Sequence, residues 1–163
     1  MPARRARAAE AAAERLPEYS LKAAFLFQFA RFVTWPASAL SSERLRIGIL
    51  GEDPFGGELD SLIVAAKFSG RGAAVVRFAA FGDIDSCDVL FIPKSQDAVV
   101  AGALQALAGR PTLTVGESDQ FANSGGMIRF KPDGSKMSFS INRDAATAAG
   151  LEVSARLLEV AKR

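Results

Sequence analysis

The residues best suited to chemistry fall in three short polar strings: Gly51-Glu52-Asp53, Pro93-Lys94-Ser95 and Gly116-Glu117-Ser118. Each follows an apolar run and leads toward a helix start, where free backbone N–H groups favour an anionic or polar ligand. Glu52, Asp53 and Glu117 have the functional groups for paired-carboxylate hydrolysis or for a hard metal ion. Lys94 beside Ser95 has the composition of a Ser–Lys nucleophile. Their spacing, however, sets no carboxylate separation, and adjacent residues rarely aim at one another. Solvated loop acids, with Asp53 and Ser95 capping helices, account for the same strings equally well.

Other routes to catalysis are closed by composition. The 163 residues include no histidine and one cysteine, Cys87. There is therefore no Ser-His-Asp triad, no Cys-His pair, no histidine metal ligand and no disulfide within the chain. Cys87 precedes a buried strand and reads as a structural thiol. Gly48, Gly51, Gly56 and Gly57 match neither the dinucleotide fingerprint nor the phosphate loop, and Glu52 with Asp53 would repel a phosphate. Neither a cofactor nor a metal is expected.

The elements that position these strings are those of an α/β chain. Leu21–Val33 places Phe25, Phe29 and Phe32 at helical spacing, with a wide apolar surface that extends to Phe27; Ser20 is its expected cap and Trp35-Pro36 its end. Leu45–Leu50 reads as a strand, Phe55–Ala66 as a helix opened by Asp53-Pro54, and Ala73–Ala79 as the strand that completes a βαβ unit. Asp88–Ile92 has the near-continuous apolar character of a strand buried on both faces. A helix over Ala98–Ala108 and a strand over Arg110–Val115 follow. Met127–Lys131 and Lys136–Ile141 form an antiparallel hairpin about Pro132-Asp133-Gly134-Ser135, and Gly125-Gly126 before it suits a tight turn. Asn142 caps a helix over Asp144–Ala149, Gly150 stops it, and Ser154–Ala161 is the last helix. The expected fold is an open, mainly parallel, Rossmann-like sheet with helices on both faces and a C-terminal antiparallel hairpin. Its strand ends would gather Glu52, Asp53, Lys94, Ser95, Glu117 and Ser118 in one crevice.

Residues 18–163 read as one domain, and residues 1–17 as a flexible or processed tail. Arg4, Arg5, Arg7 and Arg15 account for much of the basic excess behind a net charge of +2, so nucleic-acid binding by the folded part is not expected. No apolar run approaches the roughly 20 residues needed to span a bilayer. The Arg-rich start has the charge of a secretory n-region, but Ala8–Arg15 lacks an apolar h-region.

Five strings in order resemble the YfiR family of YfiR/HmsC-like proteins. They are KAAFLFQFARFVTWP (Lys22–Pro36), IGILGEDPFGGELD (Ile47–Asp60), CDVLFIPKS (Cys87–Ser95), PTLTVGESDQFANSGGMIRF (Pro111–Phe130) and INRDAATAAGLEVSARLLEVAK (Ile141–Lys162). The resemblance implies a non-catalytic periplasmic protein that represses an inner-membrane diguanylate cyclase by binding its periplasmic sensor region. An OmpA-like outer-membrane lipoprotein would relieve the repression, homodimers would form, and the output would be less cyclic diguanylate and less biofilm. The best-known relatives carry paired cysteines, so control through an internal disulfide does not extend to this chain.

The helix Leu21–Val33, through Phe25, Phe27 and Arg31, is the expected association surface, because exposed phenylalanines are otherwise costly; completing the core is its plainer role. A small-molecule sensor using the strand-end crevice is the alternative function, and a carboxylate-dependent hydrolase a third.

Overall fold

Residues 18–32 form helix α1, which runs into the two-residue strand β1 (Val33–Thr34). The computed structural model describes residues 18–36, 44–64, 72–133 and 136–162. The expected tail at 1–17 and the Gly134-Ser135 part of the hairpin turn lie outside them. The main sheet is built from β2 (Arg44–Leu50), β3 (Gly72–Phe78), β4 (Val89–Ile92), β5 (Leu113–Gly116), β6 (Ile128–Asp133) and β7 (Lys136–Ile141). Its order is β3-β2-β4-β5-β6-β7, parallel throughout except for β7, which returns antiparallel to β6. The connecting helices are α2 (Glu58–Ile63), α3 (Val100–Ala106), α4 (Asp119–Asn123), α5 (Arg143–Ala148) and α6 (Ala155–Lys162). This is the mainly parallel α/β sheet with an appended hairpin that the patterning predicts.

Strand alternation divides the core into two layers. Ile47, Ile49, Val89, Phe91 and Val115 face one side, where they meet Leu26 and Phe29 of α1, Leu59 of α2 and Leu157 of α6. Leu50, Leu90 and Ile92 face the other, against Val100 and Ala103 of α3 and Phe121 of α4. All four residues of β4 are buried, as its continuous apolar run requires. Phe29 stands at the centre of an aromatic cluster, with ring centroids 5.6 Å from Phe130 and 4.8 Å from Phe139. Such pairs contribute about 0.5–1.5 kcal/mol each beyond their area. Cys87 is buried, which pushes its thiol up to about 12.

Several boundaries move for physical reasons. Residues 18 and 19 are already helical ahead of the expected cap, so Ser20 lies inside α1. α2 starts at Glu58, because Gly57 at φ 93° serves as its N-cap and residues 54–57 form turns. Asp53 instead accepts the Phe55 N–H at 2.7 Å, closing a local turn. Ser95 lies within a 3-10 segment, Lys94–Val99, that precedes α3, and its side chain caps nothing. Asn142 caps α5 as expected, accepting the Ala145 N–H at 3.1 Å. A second, two-stranded sheet pairs β1 antiparallel with β8 (Glu152–Val153) and ties the end of α1 to the last helix.

Candidate functional site

Parallel strands deliver their following loops to one edge of the sheet, and here that edge carries a cleft of about 540 Å3. β2 and β4 pair in register at Ile49 and Phe91, so Glu52 and Lys94 leave the sheet on neighbouring loops. Glu52, Asp53, Lys94, Ser95 and Glu117 all line the cleft, and α1 closes it with Glu18 and Tyr19. Ser118 does not. Its hydroxyl caps α4, accepting the Phe121 N–H at 3.2 Å and donating to Asp97 at 2.6 Å.

Glu117 is the most constrained of the gathered groups. Its side chain is only 2% exposed, and the Lys22 ammonium, itself 4% exposed, donates to it at 2.6 Å. The Tyr19 hydroxyl donates at 3.1 Å and the Lys94 backbone N–H at 2.9 Å. Lys22 also bonds Glu18 at 2.8 Å and lies 4.6 Å from the Tyr19 ring centroid. Donors therefore hold the Glu117 carboxylate on both oxygens, and it forms the cleft floor as a fixed anchor. Asp53 is similarly committed: Arg77 reaches one oxygen at 2.9 and 2.7 Å through two nitrogens, while the Phe55 N–H holds the other. Both acids are thus committed to donors within the chain. Among the described residues, no three histidine, cysteine, aspartate or glutamate side chains are grouped to hold a metal ion.

Tyr19 and Lys22 escaped the sequence reading, although Lys22 carried a signal. It falls at i, i+4, i+7 and i+11 with Leu26, Phe29 and Val33, the stripe that enters the core. A lysine on a buried stripe requires a buried partner.

The expected association residues separate onto two flanks of α1. Phe25 is half-buried, its ring centroid 5.5 Å from that of Phe139. Phe27 lies about 200° around the helix from it, half-buried, with the Arg31 guanidinium 5.7 Å from its ring centroid. Phe25, Phe27 and Arg31 thus form no single patch. On the Phe25 side, a groove of about 220 Å3 runs between α1, β7 and α6, lined by Phe25, Phe32, Phe139, Leu157 and Val160 among others. Val160 is 49% exposed and Leu21, farther along α1, 42%.

Similarity to known proteins supports the same fold. A crystal structure titled as a conserved domain protein from Vibrio cholerae O1 biovar El Tor superposes with a TM-score of 0.51 at 15% identity. The match covers 71% of this chain but 53% of that protein, so the chain spans about half the neighbour's length. None of the curated proteins matches the sequence. The YfiR/HmsC-like family matches residues 19–162, nearly the whole chain, including the sheet, the groove and every cleft residue but Glu18. This chain belongs to the YfiR/HmsC-like family.

Proposed function

We propose that this chain is a non-catalytic periplasmic regulator that represses an inner-membrane diguanylate cyclase by contact with its periplasmic sensor region. The observation that carries the reading is the family match over residues 19–162. The family is one of periplasmic regulators of cyclic-diguanylate signalling, regulatory and not catalytic. Among the described residues, no helix is long and apolar enough to cross a membrane. The site chemistry agrees with a regulatory role, since Glu117 and Asp53 are held by internal cations.

Contact with the cyclase is assigned to the apolar groove between α1 and α6, and the Phe27–Arg31 flank to a homodimer. Repression would lower cyclic diguanylate and biofilm, and an OmpA-like outer-membrane lipoprotein would relieve it by sequestration. The test is a pull-down with the periplasmic region of a candidate cyclase, using the wild type and Val160→Asp. Val160 is half-exposed, so the substitution leaves the core intact. Loss of capture by the variant supports the groove, equal capture by both removes it, and no capture by the wild type removes the cyclase. Sedimentation of Phe27→Gln and Arg31→Glu tests the dimer: profiles unchanged from the wild type eliminate that flank.

A further inference from the structure

The cleft at the strand ends holds two charged side chains without a partner among the described residues. Around it, Glu117 and Glu18 share the Lys22 ammonium, and Asp53 is matched by Arg77. Once these pairs are set aside, the Glu52 carboxylate and the Lys94 ammonium remain. Both line the cleft, both are exposed, and neither side chain has a hydrogen-bond or ion-pair partner among the described residues. They project from neighbouring loops, yet they form no ion pair with each other. The Ser95 hydroxyl beside Lys94 is equally uncommitted. Around these groups the walls are stiff: Pro54 and Pro93 restrict the two loops, and the Tyr19 ring is held by its hydroxyl on Glu117. The volume, about 540 Å3, lies within the usual range for small-molecule sites.

We propose that this cleft binds a small zwitterion, with Glu52 receiving its ammonium group and Lys94 with Ser95 its acid group. A ligand of one sign satisfies only one of the two free groups and is repelled by the other. A doubly positive ligand would meet Lys94, and a doubly negative one would meet Glu52. Only a molecule that carries both charges answers both. This inference does not rest on the regulatory reading, because it concerns the isolated chain.

The experiment is isothermal titration of the full chain with glycine, β-alanine and 4-aminobutyrate, which separate the two charges by increasing lengths. Putrescine and succinate serve as the single-sign controls. At least one amino acid of the series should bind saturably, and Glu52→Gln and Lys94→Gln should each weaken it tenfold or more. Both side chains are exposed, so the variants should unfold at the wild-type temperature, which thermal melts check directly. The proposal is overturned if no member of the series binds, if putrescine or succinate binds as tightly, or if binding survives both substitutions unchanged.

Discussion

Replacing Lys22 by methionine removes the ammonium while keeping most of the side-chain volume, and it leaves the Glu117 carboxylate 2% exposed without its cation. Breaking a buried pair from one side costs about 3–5 kcal/mol, because the remaining charge stays desolvated. Glu117 keeps two hydrogen bonds, from Tyr19 and the Lys94 N–H, which places the expected loss at the low end, near 3 kcal/mol. At roughly 2–4 °C per kcal/mol for a domain of this size, the melting temperature should fall by about 6–12 °C. Glu117→Gln should cost a similar amount, since the 4%-exposed ammonium would then have only Glu18, itself 35% exposed. The double variant Lys22→Met/Glu117→Gln removes both charges and should cost about 3–4 kcal/mol, little more than either single substitution, because no charge is left buried without its partner. Urea unfolding of the four proteins closes a double-mutant cycle, with an expected coupling of about 2–3 kcal/mol. A coupling below about 0.5 kcal/mol would refute the reasoning, because it would mean that each charge is solvated independently.

Two further outcomes follow from packing. Phe121 is 1% exposed and its ring lies directly against Gly116, so a Cβ at that position would occupy the space of the ring. Gly116→Ala should therefore cost about 1–3 kcal/mol in urea unfolding, whereas Gly82→Ala, which meets nothing within 4 Å, should be neutral. Burial raises the Cys87 thiol to about 12, so at pH 8 only about one molecule in ten thousand carries the thiolate, and a disulfide reagent should label the native protein far more slowly than the unfolded one. The neutral thiol's contribution to stability is complete below pH 9.0 and is lost as pH rises from there toward about 12, since the unfolded chain releases the proton first. Rapid native labelling at pH 8 would contradict that placement.

What was legible in the sequence was local. The run Asp88–Ile92 named a central strand, and Asn142 three residues before Ala145 named a cap, because each signal acts within a few residues of itself. The start of α2 was less legible. Asp53-Pro54 has the composition of a helix opening, but the left-handed backbone at Gly57 delays it by several residues. Ser118 was misplaced because α4 is only five residues long, too short to show a period, so its cap was indistinguishable from a loop serine. The anchor of the cleft was the least visible of all. Lys22 and Glu117 are 95 residues apart, and no pattern within either segment states that they meet. Phe25 and Phe27 show the same limit at shorter range: both are apolar residues of one helix, but only packing separates the flank that lines the groove from the flank under Arg31.

α1 is the element shared by the cleft and the groove, and its two ends are fastened differently. At the cleft end the fastening is electrostatic, through Tyr19 and Lys22 on Glu117. At the other end it is backbone and sheet, through the Ser154 N–H on the Phe32 carbonyl at 2.9 Å and the pairing of Val33 with Val153. Loss of the Lys22 charge should therefore loosen the helix from the cleft end without opening the sheet. In native-state hydrogen exchange, Lys22→Met should speed the amides of residues 22–26 by more than the global loss of stability accounts for. The amides of the fully buried strands β4 and β5 should follow that loss alone. A uniform change across α1, β4 and β5 would show that helix and sheet open together, and the cleft would then have no separate hold on the helix that lines the groove.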